Sequence, residues 1–129
     1  LQSNGIKLID QENYSSGSSV EKGKNFTAEM LKRNQDLDCI YCSTDVIAMG
    51  AVMHCLEAGI SIPNELAIAG FNKLSMASGL PIKLATTDSL RFEIGKLAAN
   101  MILERNEQNI TNPAKTIELE TSVNIGTSI

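Results

Sequence analysis

The chain has 129 residues, of which 43% are hydrophobic, 20% are charged and only 4% are aromatic. This balance is typical of a folded α/β domain with a core of moderate size. The net charge is −4 and no run of Lys and Arg is present, so the chain itself is not expected to hold nucleic acid. No apolar stretch approaches the roughly 20 residues that a membrane span requires.

A short strand is predicted near the start of the chain, at residues 6–9, and a polar, glycine-containing loop follows over residues 10–18. Ser18 or Ser19 is suited to the N-cap of a helix, because a Ser hydroxyl can accept a hydrogen bond from a free backbone N–H group. The apolar spacing after these serines predicts a moderately amphipathic helix that ends near Arg33.

The most informative pattern lies in residues 37–71, where two apolar runs enclose a helical segment. The runs cover residues 39–42 and 66–69, and the helix between them is predicted to start at Thr44 or Asp45. Both runs are continuously apolar rather than alternating, which is typical of parallel strands that are buried on both faces. The segment therefore predicts a strand–helix–strand unit of a parallel sheet.

Shorter patterns predict the remaining elements. Residues 72–80 are irregular, with room for one helical turn, and a strand is predicted at residues 84–87. Apolar residues at helical spacing predict a helix over residues 91–105. After a turn-rich connector, two final strands are predicted at residues 116–119 and 121–125.

Polar residues collect where the two strands of the central unit end. Ser43, Thr44 and Asp45 follow the first strand, and Asn72 and Lys73 follow the second. Open parallel sheets bind ligands outside the carboxyl ends of their strands, close to helix N-termini. A ligand site is therefore predicted there, although a simpler interpretation exists for each residue. Thr44 and Asp45 can cap a helix, and a single Lys73 on a loop is usually solvated.

Three further positions have both a functional and a structural interpretation. Ser18 and Ser19 stand at the N-terminus of a predicted helix, where they can help to bind an anion or serve only as caps. Ser89 follows the strand predicted at residues 84–87. Nearby, Arg91 can either clamp a carboxylate or lie on the surface of the next helix.

The three cysteines indicate a reducing compartment, because their odd number and their spacing do not suggest disulfides. Cys39-x-x-Cys42 has the spacing of redox and zinc motifs. However, residues three apart on a strand point to opposite faces, and no second Cys/His pair completes a zinc site. Cys39, Cys42 and Cys55 are therefore interpreted as small, buried apolar residues, and no metal site is expected.

Several sequence motifs follow one another in a specific order. They are C-S-T-D-V-I-A-M-G-A at residues 42–51, E-A-G-I-S-I-P at 57–63, L-A-I-A-G-F at 66–71, P-I-K-L-A-T-T at 81–87 and E-I-G-K-L-A-A-N-M-I-L-E-R at 93–105. In this order they resemble the effector-binding domain of LacI/GalR-type bacterial transcriptional regulators, and the resemblance covers nearly the whole chain. The upstream S-S-V-E-K-G and the Cys in H-C-L-E-A-G-I look most like the gluconate-operon repressor branch.

The resemblance implies an α/β fold, namely the parallel-sheet, three-layer lobe of a periplasmic-binding-protein-like (type I) protein. Residues 1–83 would belong to the C-terminal lobe, and residues 84–106 would be a strand and a helix that cross into the other, missing lobe. Residues 107–129 would return to the C-terminal lobe as strands. Family members are several hundred residues long, and this chain starts at Leu1 without Met, so we expect a fragment of a longer protein.

The resemblance also implies which residues bind the ligand. The family places a ligand-contacting side chain, often Asn, at the position of Thr44, and an Asp that grips sugar hydroxyls at the position of Asn72. Thr has a shorter reach than Asn, and Asn lacks the charge of Asp. Together with Lys73, the uncharged Asn72 suits an anionic ligand better than a neutral sugar. Together with the candidates that the residues themselves suggest, the predicted ligand-binding residues are Ser18, Ser19, Thr44, Asn72, Lys73 and Ser89.

The function that the resemblance favours is that of a sensor within a cytoplasmic, homodimeric repressor. Such a protein binds a sugar or a gluconate-like sugar acid between two lobes, and it contacts DNA only through an N-terminal domain that this chain does not contain. Half of a sugar-binding protein of a transport system has the same fold and is the alternative. The three cysteines argue mildly against that exported protein.

An enzyme is the third possible class of function. The chain contains no G-x-G-x-x-G motif, no P-loop and no nucleophile elbow. No pair of titratable residues in the sequence suggests acid–base catalysis. We therefore expect no catalytic residues, no cofactor and no contact with a membrane.

Overall fold

A computed structural model of the chain describes residues 2–107 and 115–129. The helices are α1 (Val20–Arg33), α2 (Asp45–Ala58) and α3 (Arg91–Glu107), with short 3-10 helices at Gln2–Asn4 and Ser75–Gly79. The strands are β1 (Cys39–Tyr41), β2 (Ala67–Phe71), β3 (Ala85–Asp88) and β4 (Ser122–Asn124). They form one sheet in the order β1-β2-β3-β4, in which β1, β2 and β3 are parallel and β4 is antiparallel to β3.

Capping residues in the sequence determine where the first two helices begin and end. Thr44 Oγ1 accepts a hydrogen bond from Ile47 N–H at 3.3 Å and so caps α2. Gly59 ends α2 in the left-handed conformation, with a φ of 72°, which glycine adopts without the strain of a side chain. Ser19 Oγ accepts from Lys22 N–H at 3.2 Å and caps α1. The predicted positions of both helices are confirmed.

The hydrophobic core lies between the sheet and α2. Ile40 of β1 and Ile68 of β2 are buried against Val52 and Cys55 of α2, and Leu66 just before β2 is buried with them. Burying a large apolar side chain contributes about 1.5–3 kcal/mol to stability. This cluster therefore fixes α2 across β1 and β2.

The opposite face of the sheet is only partly covered. Tyr41 of β1 is 65% exposed, and Ala67 and Ala69 of β2 are half-buried. The described residues supply a helix layer for one face of the sheet, with α1 packed against α2. Within the described residues, the prediction that the runs at residues 39–42 and 66–69 are buried on both faces is therefore wrong. The predicted α/β fold class is confirmed, since the sheet is mainly parallel and α2 covers one of its faces.

Two of the predicted strands do not pair. Residues 6–9 form no ladder in the structure, and Ile6 and Leu8 are 53% and 59% exposed. Residues 116–119 also lie outside the sheet, which near the C-terminus contains only β4. An apolar run becomes a strand only where a neighbouring strand satisfies its backbone groups, and neither segment meets such a neighbour in the described part of the chain.

The strand near residue 84 belongs to the same sheet as the strands before it. Ala85 pairs with Ala69 of β2 in parallel register, and Thr87 pairs with Val123 of β4 in antiparallel register. The prediction that this strand crosses into another lobe is therefore wrong, because its backbone hydrogen bonds lie within this sheet. The predicted connector after α3 falls largely on residues 108–114, outside the described residues.

The third helix is the least packed of the three helices. It has no substantial contact with another described helix or strand. Phe92, Ile94 and Ile102 are 79%, 53% and 69% exposed, respectively. None of the described helices is both long enough and apolar enough to cross a membrane.

Helices α1 and α2 approach each other at two glycines, Gly23 and Gly50, both of which are buried. A Cβ atom on Gly50 would lie 2.7 Å from Gly23 Cα and 2.7 Å from Lys24 N. Both distances are shorter than any ordinary carbon contact, and both atoms belong to the backbone. The close packing of the two helices therefore requires glycine at these positions.

A buried carboxylate joins α2 to the segments that follow β2 and β3. The Asp45 side chain is fully buried. Its Oδ1 accepts from Thr86 Oγ1 at 2.7 Å, and its Oδ2 accepts from Leu74 N–H at 2.6 Å. Gly70 of β2 passes so close to Oδ1 that a Cβ atom there would collide with it. The sequence predicted Asp45 only as part of a helix cap, and its link to β3 was missed.

We expect Gly50→Ala to lower the free energy of unfolding by about 1–3 kcal/mol, because the backbone of α1 must move to admit the methyl group. Urea denaturation followed by circular dichroism measures this loss. The matched control is Gly95→Ala in α3, where a Cβ atom would meet nothing, and it should be neutral or stabilising by up to about 1 kcal/mol. Equal stability of Gly50→Ala and the unmodified chain would contradict the close helix contact.

We expect Asp45→Ala to cost about 2–3 kcal/mol of stability, because it leaves the Leu74 N–H and the Thr86 hydroxyl without a buried acceptor. Asp45→Asn should cost less, since its one carbonyl oxygen can still accept one of the two hydrogen bonds. The same denaturation experiment compares both variants with Asp36→Asn on the exposed turn after α1. A loss no larger than that of Asp36→Asn would refute the structural role of Asp45.

Candidate functional site

The carboxyl ends of the three parallel strands lie at one edge of the sheet. The register pairs Tyr41 with Ala69, and Phe71 with Thr87. The polar residues that follow each strand therefore come to neighbouring positions on one rim. This rim is the place where open parallel sheets bind their ligands.

Two consecutive residues after β2 adopt an unusual backbone conformation. Asn72 and Lys73 have φ values of 98° and 48°, in the left-handed region that residues other than glycine rarely occupy. Asn72 N–H donates to Thr87 O at 3.0 Å, and Lys73 N–H donates to Thr86 Oγ1 at 3.2 Å. These hydrogen bonds to β3 hold both residues in place and help to offset the backbone strain.

Side chains also connect this segment to the end of β3. Ser89 Oγ donates to Asn72 Oδ1 at 3.0 Å, and Lys73 Nζ lies 2.9 Å from Asp88 Oδ2. The hydrogen bond from Lys73, with a second one from Leu90 N–H, holds the pKa of Asp88 below its usual value. Asp88 is therefore charged near neutral pH and neutralises Lys73 locally.

These residues surround an open depression of about 340 Å³ at the point where α3 begins. Arg91, which had two interpretations, lies both on the helix surface and in the wall of this depression. Asn72, Lys73 and Ser89, all predicted as site residues, lie at or beside the depression. The lining residues are Asn72, Lys73, Asp88, Leu90, Arg91, Phe92 and Glu93.

A second polar cluster joins the loop before α1 to the end of β1. Tyr14 OH lies 2.7 Å from Ser43 Oγ and 3.2 Å from Ser18 Oγ. These hydrogen bonds, with Ser18 first, lower the pKa of Tyr14 from its ordinary value. The ammonium group of Lys22 lies 5.6 Å from the centre of the Tyr14 ring, within the range of a cation–π contact.

Ser19 and Thr44 serve as helix caps, which is the simpler of their two interpretations. A hydroxyl oxygen that accepts from a backbone N–H still has its own hydrogen to donate. The capping role therefore does not by itself exclude a ligand contact at either residue. Their neighbours Ser18 and Ser43 are drawn together by Tyr14.

The cysteines have the environment of structural residues. Burial raises the pKa of Cys42 to about 12 and that of Cys55 to about 11. Both thiols are therefore protonated and unreactive near neutral pH. Cys39 is exposed, contrary to the prediction that all three are buried, because it lies on the uncovered face of β1. Within the described residues, no group of three His, Cys, Asp or Glu side chains could hold a metal ion.

Two residues of these clusters, Tyr14 and Asp88, were not predicted from the sequence. Tyr14 lies in a polar loop far along the chain from Ser43, so no local spacing connected them. Asp88 was overlooked because it is the last residue of a strand that was predicted to end at Thr87. The sequence did contain a signal for Asp88, namely an acidic residue directly after the predicted end of a parallel strand.

Comparison with known proteins places these observations in a family. The model of the periplasmic binding protein-like domain matches residues 3–129. The chain is 37% identical over 95 residues to the HTH-type transcriptional regulator IdnR of Escherichia coli K12, which covers 74% of the chain but only 29% of IdnR.

Two solved structures of LacI-family regulators have the same fold. The regulator from Silicibacter pomeroyi is 42% identical with a TM-score of 0.89, over 98% of this chain and 38% of that one. The regulator from Enterococcus faecium, solved with bound ribose, is 26% identical with a TM-score of 0.76, over 85% of this chain and 40% of that one.

These proteins are regulators rather than enzymes, in agreement with the expectation from the sequence. The chain spans less than half the length of each of them. It belongs to the periplasmic binding protein-like domain family and, within it, to the effector-binding regions of LacI/GalR-type transcriptional regulators.

Proposed function

We propose that this region binds a hydroxyl-rich effector, a sugar or a gluconate-like sugar acid, in the depression beside Asn72, Lys73 and the start of α3. The observation that carries the proposal is the orientation of the Asn72 amide. Its Oδ1 accepts from Ser89 Oγ, and its Nδ2 donates no hydrogen bond to another described residue. An amide donor beside Lys73 and Arg91 suits a ligand that is rich in hydrogen-bond acceptors.

The charges of the lining refine the choice between a sugar and a sugar acid. Lys73 and Arg91 are cationic, whereas Asp88 and Glu93 are anionic. The lining is therefore balanced, and a net positive field does not select an acid. Arg91 offers a planar fork of donors that matches a carboxylate, which supports the acid. The ribose in the Enterococcus faecium structure supports a neutral sugar as the broader class.

The exposed apolar side chains of α3 support its proposed place in the missing lobe. Ile94 and Ile102 are more than half exposed, and several exposed apolar side chains on one helix usually indicate a contact surface. We assign α3, but not β3, to the excursion that was predicted for residues 84–106. Residues 2–83 and the return strand β4 would form the C-terminal lobe with β3.

In the intact protein, the second lobe would supply the other wall of the ligand site. Closure of the two lobes on the effector would favour one hinge state of a cytoplasmic homodimer. That state would change how DNA-binding domains outside this chain are presented to an operator. Ligand and operator would then change each other's affinity by the same factor.

We expect the 129-residue chain alone to bind gluconate or glucose only weakly, because one lobe provides half of the contacts. Titration calorimetry on the chain and on the intact protein that carries it makes the comparison. The intact protein should bind one of these ligands at least about tenfold more tightly, a difference of about 1.4 kcal/mol. Micromolar binding by the isolated chain would overturn the two-lobed site.

We also expect Lys73→Ala in the intact protein to lower the affinity for gluconate by about tenfold and the affinity for glucose by much less. The reason is that the carboxylate of gluconate loses its cationic partner. Calorimetry with both ligands measures how far the affinity for each one falls in the variant. Lys32→Ala on the exposed surface of α1, where Lys32 pairs with Glu29, is the matched control. Equal losses of affinity for gluconate and glucose would indicate that Lys73 is a solvated surface residue without a role in binding the carboxylate.

A further inference from the structure

Asp88 connects the depression to the start of α3. Its Oδ2 accepts a hydrogen bond from Lys73 Nζ at 2.9 Å, and its Oδ1 accepts from Leu90 N–H at 3.0 Å. The backbone of Asp88 is held in the sheet, where it pairs with Ser122 of β4. One carboxylate on a fixed strand thus binds both Lys73 at the rim and the backbone at the start of a helix.

Leu90 is the residue at which the chain turns from the sheet into α3. Its φ of 49° lies in the left-handed region, which is unfavourable for a leucine. Its carbonyl accepts from Ile94 N–H at 2.9 Å and so begins the helix, but leucine has no side-chain oxygen with which to cap it. The bond from Leu90 N–H to Asp88 therefore stabilises a turn that the local sequence does not favour.

Few other contacts define the direction of α3 within the described residues. The helix has no substantial contact with another described helix or strand. Besides Asp88, Ser89 also links the start of α3 to the rim, through its hydrogen bond to Asn72. The turn at Leu90 consequently has a large influence on where α3 points.

The pair between Lys73 and Asp88 is open to exchange. The two side chains are 50% and 26% exposed, and ion pairs with such exposure contribute little net stability. Lys73 also lines the depression, together with Arg91 from the first turn of α3. An anionic group in the depression can therefore replace Asp88 at Lys73 at small cost.

We propose that Asp88 is a positioning residue that competes with an anionic ligand for Lys73 and thereby couples ligand binding to the direction of α3. The proposal rests on the function proposed above for the same depression. A carboxylate that takes Lys73 leaves Asp88 without its cationic partner and loosens the turn at Leu90. A neutral sugar leaves the pair intact, so Asp88 also disfavours acids relative to neutral sugars.

The first test measures ligand preference in the intact protein. Asp88→Asn should raise the ratio of gluconate affinity to glucose affinity by about fivefold, because Lys73 loses its competitor. Asp88→Glu should bring the ratio back toward that of the unmodified protein. Glu57→Gln, which removes a similar surface pair with Lys24 (2.7 Å), is the control and should leave the ratio unchanged. A ratio that does not rise in Asp88→Asn would overturn the competition, and a purely structural role would not move it.

The second test measures the turn itself and needs no ligand. Hydrogen–deuterium exchange of peptides that cover residues 88–95 in the intact protein should be about fivefold faster in Asp88→Ala, the factor expected for one lost hydrogen bond. Glu57→Gln should exchange at the rate of the unmodified protein. If Asp88→Ala does not fold, Lys73→Ala takes its place, since it removes the pair but keeps the Asp88 carboxylate, and a smaller increase is expected. Unchanged exchange in the folded variant would overturn the link to α3.

The two tests separate this inference from the function on which it rests. If the unmodified protein binds neither gluconate nor glucose, the proposed function fails for both ligand classes, and the coupling of ligand to α3 fails with it. If it binds them but the affinity ratio or the exchange rate does not change as stated, only the role of Asp88 fails. An increase in the exchange rate near Leu90 when gluconate is added, and no increase when glucose is added, would support the complete proposal.

Discussion

The buried carboxylate of Asp45 is the constraint on which the rim at the carboxyl ends of the parallel strands depends. A charged group without water is costly to bury unless its oxygens are satisfied, and Asp45 meets that requirement through Thr86 and Leu74. These partners belong to β3 and to the segment after β2, so a residue at the start of α2 holds three parts of the rim together. Gly70 must lack a side chain for the carboxylate to fit. The position of Lys73 follows, because its N–H donates to the same Thr86 hydroxyl.

Much of the fold could be predicted because its signals are local. Thr44, Ser19 and Gly59 determine helix ends through bonds to residues only three or four positions away. The order of strand, helix and strand then followed from the apolar runs. The strand predicted at residues 6–9 failed for the opposite reason, since a strand requires a distant partner whose presence no local pattern reveals. The two uncovered surfaces, one face of the sheet and α3, were also beyond a local prediction.

The candidate site was predicted in part for the same reason. Asn72, Lys73 and Ser89 could be identified because the edge of a parallel sheet is a general ligand position and because each directly follows a strand. Their mutual contacts could not be identified, since the links from Lys73 to Asp88 and from Ser89 to Asn72 join residues that are far apart in sequence. Asn72 and Lys73 together suggested an anionic ligand, and this stays a prediction. The sequence did not reveal that Asp88 pairs with Lys73 and balances the charge of the lining.

The contrast between the two aspartates shows how one rim can be both rigid and responsive. Asp45 is fully buried with fixed partners, and replacing these partners would expose unsatisfied polar groups at a high cost. Asp88 lies closer to solvent and holds its cationic partner through a weak, exchangeable pair. The buried carboxylate therefore sets the geometry in which Asn72 and Lys73 are presented. The exposed carboxylate, on the strand that leads directly into α3, is the group whose partner a ligand can replace without disturbing the sheet.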